Sequence, residues 1–255
     1  MAQEGIYKNP ILLNQVAHKH VKVSKPTGYK FAKGQNSVLL AGQEFMQTAK
    51  YYPIAFVRDK NLNEIMPLAL LGLRSNENIF VDNEGKWKEG VYIPAFFRRY
   101  PFVLADDQGE AGAYSISVDA AFEGFDSDDG MPLFDEEGKP TQELNHVIEF
   151  LKQYQTNFML TQELIKKLDE FGLFQEFSAD ITLPAGEKFA LKGLMRIDEK
   201  ALMNLDDEKA LELYRKGFLA WIYAHLFSLS NFRPMGQLIV EAGDKEKEEA
   251  VAEGQ

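Results

Sequence analysis

Residues 51–104 have the sequence YYPIAFVRDKNLNEIMPLALLGLRSNENIFVDNEGKWKEGVYIPAFFRRYPFVL, which carries the densest apolar signal of the chain. Pro53–Val57 is a short apolar run that ends in charged residues, a pattern typical of a strand that enters a turn. Met66–Leu73 is rich in Leu and Ala, so a short buried helix and a second strand both fit. Pro94 and Pro101 bracket one to two helical turns, because proline is tolerated early in a helix but disfavours helical geometry in the residue before it.

Two adjacent arginines, Arg98 and Arg99, lie between those prolines among aromatic residues. A guanidinium pairs with planar carboxylate or phosphate groups through parallel hydrogen bonds, and it also stacks on aromatic rings. We predict a ligand-binding pocket built from this pair together with Tyr92, Trp87 and His225. In the alternative interpretation, one arginine covers the aromatic surface while the other pairs with a nearby acid. No residue is assigned a catalytic role.

The chain carries a set of short sequence words in a fixed order. They are Glu44-Phe45, Tyr52-Pro53-Ile54, the run from Pro67 to Leu73, Trp87, Tyr92-Ile93-Pro94-Ala95, Arg98-Arg99-Tyr100-Pro101-Phe102, Leu133-Phe134-Asp135 with Gly138, and Tyr223-Ala224-His225-Leu226 with Ser228-Leu229. This ordered set, which spans residues 8–240, resembles the bacterial SapC family. The resemblance implies a link to a bacterial surface layer, which the family's name states, and many members are labelled as peptide-transporter components. It implies no catalytic residue, because the family has none established.

Composition and charge exclude several classes of protein. The chain has 255 residues, of which 45% are hydrophobic and 26% charged, and this balance is typical of a globular protein with a large core. Its formal net charge of -11 opposes nonspecific binding to nucleic acid or to an anionic membrane surface. With no cysteine in the chain, disulfides, thiolate metal sites and cysteine nucleophiles are excluded.

The sequence also gives expectations about localisation. The first 15 residues, MAQEGIYKNPILLNQ, lack the basic start and apolar core of a secretory signal peptide. No apolar run approaches the roughly 18 to 20 residues of a transmembrane helix, so we expect no transmembrane segment. We therefore expect a cytoplasmic protein, with signal-independent export to the cell surface as the alternative.

The second half of the chain predicts helices and one hairpin. Thr141 is a good N-cap for an apolar stripe that continues at three- and four-residue intervals to Gly172, and Thr161 could cap a second helix within it. Two apolar runs, residues 177–183 and 189–197, predict an antiparallel hairpin. We expect the helices to cover the sheet that these and earlier strands form.

The last long helix is predicted to begin at Asp206 or Asn204, either of which can accept from free backbone amides. His225 lies on its apolar stripe, one turn after Trp221. This histidine could transfer a proton in a pocket, or it could be a core residue bonded to the backbone or to a hydroxyl.

These elements predict an α+β fold, with an antiparallel or mixed sheet covered by helices near residues 141–172 and 206–230. We expect a single domain over residues 1–240, because the final hairpin and helix have little prospect of forming a core alone. Residues 241–255 are charged and poor in apolar side chains, which predicts a disordered acidic tail.

Two places in the sequence resemble the beginnings of metal sites. His18 and His20 would share one face of a strand, but no third ligand is close in sequence. Asp126 and Asp128 resemble the opening of a calcium loop, but the glycine that follows comes one residue early and no helix precedes them. An exposed strand and a solvated turn are the alternatives. We predict neither a metal nor a cofactor.

Two functional hypotheses remain. The first, which rests on the resemblance, is a non-catalytic protein that is related to the cell surface through a surface layer, or that binds a ligand. Its partner would be a peptide, an acidic small molecule or a cell-envelope component. The second is an uncharacterised enzyme, or a binder of a small acidic molecule or peptide, that uses the arginine and aromatic pocket. The residues name no substrate, and they are compatible with an oligomer.

Overall fold

A five-stranded antiparallel sheet lies at the centre of the fold. The structure is a computed structural model that describes residues 5–59, 63–106, 114–183 and 186–241. In spatial order the strands of the central sheet are β3 (Ser37–Leu39), β5 (Ile65–Leu70), β4 (Ile54–Arg58), β10 (Lys188–Ile197) and β9 (Phe174–Thr182). All four neighbouring pairs are antiparallel.

Residues 51–104 supply strands β4 and β5, which lie in the middle of this sheet. Strand β4 pairs with β5 in a register that places Ile54 opposite Ala69 and Arg58 opposite Ile65. The Leu- and Ala-rich run therefore forms a strand rather than a helix. Ile54 and the two residues after it are fully buried, so neither face of this part of β4 meets solvent. A strand covered on both faces carries a continuous apolar run instead of an alternating one, which explains its sequence.

Two smaller antiparallel sheets flank the central one. The first has the order β1 (Pro10–Leu12), β7 (Tyr114–Asp119) and β6 (Phe102–Asp106). The second pairs β2 (Lys22–Val23) with β8 (Met131–Pro132). These strands confirm the predicted antiparallel character of the first half.

The helices of the second half cover the sheets. They are α3 (Gln142–Glu170), α4 (Glu199–Met203), α5 (Asp207–Arg215) and α6 (Phe218–Ser228), and residues 232–241 are also helical. The first half adds α1 (Phe45–Thr48), α2 (Ala95–Arg98) and the 3-10 turn Gly42–Glu44. The predicted α+β class is confirmed. Within the described ranges, no helix has the length and apolar character needed to cross a lipid bilayer.

Several predicted helix boundaries are confirmed and others are wrong. Thr141 caps α3, with its side chain accepting from the Leu144 amide, and Asp206 caps α5. Thr161 does not begin a second helix, because α3 continues through it without a break. The last predicted helix is divided at Gly217, which adopts a φ of 73° that favours glycine.

One core joins the elements. Buried apolar side chains from both halves pack against one another, including Phe45, Phe56, Phe97, Leu164 and Ile222. The single-domain organisation remains a prediction. The predicted acidic tail lies outside the described residues except for Glu241.

Candidate functional site

A cleft of about 290 Å³ lies between helix α3, the start of helix α2 and the 3-10 turn Gly42–Glu44. Its polar lining comes from Gln43, Glu44, Arg98, Gln153 and Asn157, and its aromatic lining comes from Tyr92, Phe150 and Tyr154. Both of the predicted pocket residues that line it, Tyr92 and Arg98, come from the sequence between the prolines or just before it. The cleft therefore joins the aromatic middle of the chain to the long helix.

Glu44 is the buried acid of this cleft, with only 7% of its surface exposed. Its Oε1 atom accepts from the Ala95 amide at 2.6 Å and from the Tyr92 hydroxyl at 2.9 Å. Its Oε2 atom accepts from the Ala41 amide at 3.1 Å. Burial raises the pKa of Glu44 above its usual value, and these three donors partly oppose that shift. Glu44 thus fixes the start of α2 and the Tyr92 ring in one arrangement.

Arg98 is held at the mouth of the cleft by neutral groups. Its Nε atom donates to the Ile93 carbonyl oxygen at 3.0 Å, and its Nη2 atom donates to the Tyr92 hydroxyl at 3.1 Å. The guanidinium carbon lies 5.5 Å from the centre of the Tyr92 ring and 5.3 Å from that of Phe150. No described carboxylate forms an ion pair with Arg98, and its Nη1 atom has no partner in the same residues. The exposed cation is therefore fixed in place and still free to bind an anion.

The Tyr92 hydroxyl connects the acid to the arginine. It donates to Glu44 and accepts from Arg98, so one oxygen takes part in both contacts. Burial and the neighbouring Glu44 carboxylate raise the pKa of Tyr92 to about 12, and Arg98 opposes this rise. Tyr92 is therefore protonated at neutral pH and can serve as the donor to Glu44.

Arg99 points away from the cleft and into an aromatic cluster. Its guanidinium carbon lies 4.0 Å from the centre of the Phe96 ring, 5.0 Å from Tyr154 and 5.9 Å from Tyr7. Its Nε atom is buried and has no hydrogen-bond partner in the described chain. The two neighbouring arginines therefore occupy different surroundings, and only Arg98 lines the cleft.

The other two predicted pocket residues are buried elsewhere. The Trp87 Nε1 atom donates to the Tyr52 hydroxyl at 3.2 Å, and that hydroxyl donates to the Tyr92 carbonyl oxygen at 2.5 Å. Trp87 thus supports the backbone behind the cleft without lining it. His225 is fully buried against Ile54 and Ile197, whose backbone it contacts through its two ring nitrogens. The structure does not bring His225 to Arg98.

The predicted metal-site residues lie in turns. Residues 15–20 form turns instead of the expected strand, and the His18 Nδ1 atom accepts from the Asn14 amide. Asp126 has a φ of 56° in the turn before β8. Among the residues with described structure, no group of three or more histidine or acidic side chains could hold a metal ion.

A larger groove of about 510 Å³ lies beside the loop at residues 74–88. Its arginine, Arg74, already pairs with Glu77 and with Glu187, both at 2.8 Å. The remaining charges on its walls are of both signs. The smaller cleft is the better candidate because its arginine forms no direct ion pair with any acid that the structure describes.

Sequence reasoning missed Glu44 and the α3 residues as members of the site. The spacing from Ala41 to Glu44 follows the acid position of a capping box, in which a glutamate returns to a backbone amide. On α3, Phe150 and Tyr154 are four residues apart, as are Gln153 and Asn157, and this spacing places each pair on one helix face. These local signals indicate one face of helix α3 and a capping role for Glu44. They do not show that the helix face and the capped turn lie opposite each other across a cleft.

Comparison with known proteins identifies the family. The SapC family model matches residues 13–235, which include every residue that lines the cleft. Neither a curated protein nor a solved structure matches the chain. Because the match covers most of the 255 residues, the chain belongs to the SapC family.

Proposed function

We propose that this protein binds a peptide or an acidic small molecule in the cleft, with Arg98 as the anchor for the ligand's carboxylate. One observation carries the proposal. The Arg98 guanidinium is fixed by the Ile93 carbonyl oxygen and the Tyr92 hydroxyl, yet it forms no direct ion pair with a carboxylate in the described part of the chain. An arginine held in place before binding loses little conformational freedom when an anion arrives.

The rest of the lining fits a small polar ligand. The side-chain amides of Gln43, Gln153 and Asn157 line the cleft, and none of the three makes a hydrogen bond within the described residues. A side-chain amide can both donate and accept hydrogen bonds, so these groups can pair with hydrogen-bond donors or acceptors of a ligand. The rings of Tyr92 and Phe150 offer apolar surface beside Arg98. Binding sites for small molecules combine such apolar walls with a few fixed polar groups.

The test compares a carboxylate with its neutral amide. Butanoate, butanamide and the tripeptide trialanine are titrated into ¹⁵N-labelled protein, and binding is followed by NMR chemical shifts. We expect butanoate and trialanine to shift amide signals around Arg98, whereas butanamide should not. Arg98→Ala should weaken carboxylate binding by about tenfold or more, because a hydrogen bond to a charged group contributes roughly 1.5–3 kcal/mol.

The matched control is Arg215→Ala, which removes an exposed cation from α5 that has no ion pair in the described chain. It changes the net charge by the same amount as Arg98→Ala and should leave the affinity unchanged. Carboxylate binding that survives Arg98→Ala, or the absence of binding by either carboxylate, would contradict the proposal.

Membership of the SapC family supports a second proposal, a role at the bacterial cell surface. In this version the acidic ligand is a cell-envelope component, and the protein reaches it by an export route that does not need a signal peptide. Cell fractionation with an antibody against the untagged protein tests this. Protein found with the envelope would support the cell-surface role. Protein found wholly in the cytosolic fraction would contradict that role, but it would not test the proposed binding of a carboxylate by Arg98.

A further inference from the structure

Helix α6 is apolar on every side, yet one of its faces is exposed. None of its eleven residues is a lysine, arginine, aspartate or glutamate. Ile222 and His225 lie on its buried side, whereas Ala220, Tyr223 and Phe227 are exposed. The spacing of three and four residues places the last three side chains on one face. A helix that is apolar all round is normally covered all round, so this exposed face indicates a binding partner.

Met203 of helix α4 extends the exposed surface, and we call Met203, Ala220, Tyr223 and Phe227 together the α6 face. The Tyr223 hydroxyl lies 3.9 Å from the Met203 sulfur atom, so the two side chains touch. Phe227 is 66% exposed, Tyr223 45% and Met203 71%. If each side chain offers about 200 Å², these three expose roughly 350 Å² of mostly apolar surface. One partner in a standard interface contributes about 800 Å², of which roughly 60% is apolar. The α6 face therefore provides most of the apolar surface that a stable dimer needs.

Buried hydrogen bonds hold the helix in place behind this face. The Ser228 Oγ atom accepts from the Ile54 amide at 2.9 Å, and the His225 Nδ1 atom lies 2.9 Å from the Ile54 carbonyl oxygen. Both contacts tie α6 to a central strand of the sheet. A face that is fixed before binding loses little conformational freedom in a complex, which favours association.

We infer that the α6 face binds the same face of a second copy of this chain, and that the two copies form a dimer with two-fold symmetry. The order of residues along the face is self-complementary. When two α6 helices pack antiparallel about an axis beside Tyr223, the Phe227 ring of each copy lies against Ala220 of the other. A large ring then fills the space beside a small side chain on both sides of the axis. A parallel pair would put two rings together and leave a gap between two alanines.

The composition of the chain disfavours two other occupants. The stretches outside the described ranges, residues 1–4, 60–62, 107–113, 184–185 and 242–255, are mostly charged, polar or small, so they match an apolar face poorly. The formal net charge of -11 disfavours an anionic membrane surface. A second copy brings a face that is equally apolar and carries no charge, so no like charges meet where the two faces touch.

Sedimentation velocity of the full chain at a series of micromolar concentrations measures the oligomeric state. We expect a monomer–dimer equilibrium in the natural protein. Ala220→Glu and Phe227→Lys should each raise the dissociation constant of the dimer by about 30-fold or more, because each places a charge in the apolar centre of the interface. Both positions are exposed, so the variants should fold like the natural protein, which circular dichroism checks. Val16→Lys, which replaces an exposed apolar side chain in the turns after β1, is the control and should leave the dissociation constant unchanged.

An equimolar mixture of the two variants tests the antiparallel arrangement itself. In the mixed dimer, the new carboxylate at position 220 meets the new ammonium group at position 227, and the other contact keeps the natural ring and alanine. We expect the mixture to recover the dimer, with a dissociation constant about tenfold or more below that of either variant alone. Native mass spectrometry should show that this dimer contains one copy of each variant.

Four results would overturn the inference. They are a natural protein that is monomeric at every concentration, a dimer that neither variant weakens, and a weakened dimer that the mixture does not restore. The fourth is a monomer that binds phosphatidylcholine vesicles and loses that binding in both variants, which would assign the α6 face to lipid. None of these results bears on the carboxylate titrations, so the dimer can fail while the proposed function stands.

Discussion

The Nδ1 atom of His225 lies 2.9 Å from the carbonyl oxygen of Ile54, at the point where β4 approaches β10. Its Nε2 atom accepts from the Ile197 amide at 3.1 Å. In the described chain these two strands share a single register pair, Met195 opposite Phe56. The imidazole therefore supplies hydrogen bonds that a longer pairing of the two strands would otherwise provide. Because Nε2 accepts a hydrogen bond, the proton of the neutral ring is on Nδ1, which donates to the Ile54 carbonyl oxygen. His225 fastens α6 to two strands of the central sheet.

Replacing His225 with leucine should lower the free energy of unfolding by about 2–4 kcal/mol, because two buried backbone groups lose their partners. Urea unfolding followed by circular dichroism measures the loss. His146→Leu, at an exposed position on α3, is the control and should change stability by less than about 0.5 kcal/mol. A His225→Leu protein as stable as the natural one would show that the two strands do not need the imidazole.

The same histidine predicts a pH dependence of stability. Burial lowers the pKa of His225 to about 3, against an ordinary value of 6.5. Between these two values the unfolded chain takes up a proton that the folded protein does not, so stability is lost as the pH falls below about 6.5. This group alone should cost about 2 kcal/mol between pH 7 and pH 5.

The difference between the natural protein and His225→Leu isolates that contribution, because all other titrating groups are shared. The stability gap should be widest at pH 7 and should narrow by about 2 kcal/mol at pH 5. Urea unfolding at the two pH values measures it. A gap that stays constant would mean that the imidazole becomes charged inside the folded protein.

Local sequence patterns predict several helices and strands of the protein, but they do not predict which of these elements contact one another. The hairpin of β9 and β10, the short helix between Pro94 and Pro101 and the Thr141 cap all follow from signals within a few residues. The role of His225 does not, because Ile54 is 171 residues away from it. Only the tertiary structure shows whether an apolar stripe places its histidine in a pocket or against a strand.

The residues of the candidate site show the same difference between local and long-range contacts. Arg98 and Tyr92 are six residues apart, and the sequence placed them together. Glu44 accepts from the Tyr92 hydroxyl across 48 residues, and nothing near Glu44 in the sequence shows that its acceptor atoms face Tyr92. Thr161 was mistaken for a cap because threonine favours that position. Its hydroxyl instead accepts from the Gly42 amide at 2.7 Å and so ties α3 to the turn that carries Glu44.

Gly42 leaves no room for a side chain. A Cβ atom at this position would lie 2.2 Å from the Trp221 ring, well inside van der Waals contact. Gly42→Ala should therefore lower the free energy of unfolding by about 1–3 kcal/mol, the usual cost of overpacking a core. Thermal and urea unfolding both measure the loss.

Gly34→Ala is the matched control, because a Cβ atom there meets no other atom within 4 Å. It should leave the free energy of unfolding unchanged or raise it by up to about 1 kcal/mol, because alanine has fewer backbone conformations than glycine in the unfolded chain. If both alanine variants were equally stable, the Trp221 ring would have to move freely away from the turn.

The two arginines should respond differently when each is replaced by alanine. Arg99→Ala removes a guanidinium that covers the Phe96 and Tyr154 rings, so it should cost about 1–3 kcal/mol of stability. Arg98 is exposed, and Arg98→Ala should cost less than about 1 kcal/mol. Arg99→Lys retains the charge but loses the planar contact, and it should fall between the natural protein and Arg99→Ala. Urea unfolding of the three variants checks the order.

Equal losses for Arg98→Ala and Arg99→Ala would mean that the aromatic cluster gains no stability from Arg99. The distinction between Arg98 as the proposed ligand-binding arginine and Arg99 as a structural one would then be wrong.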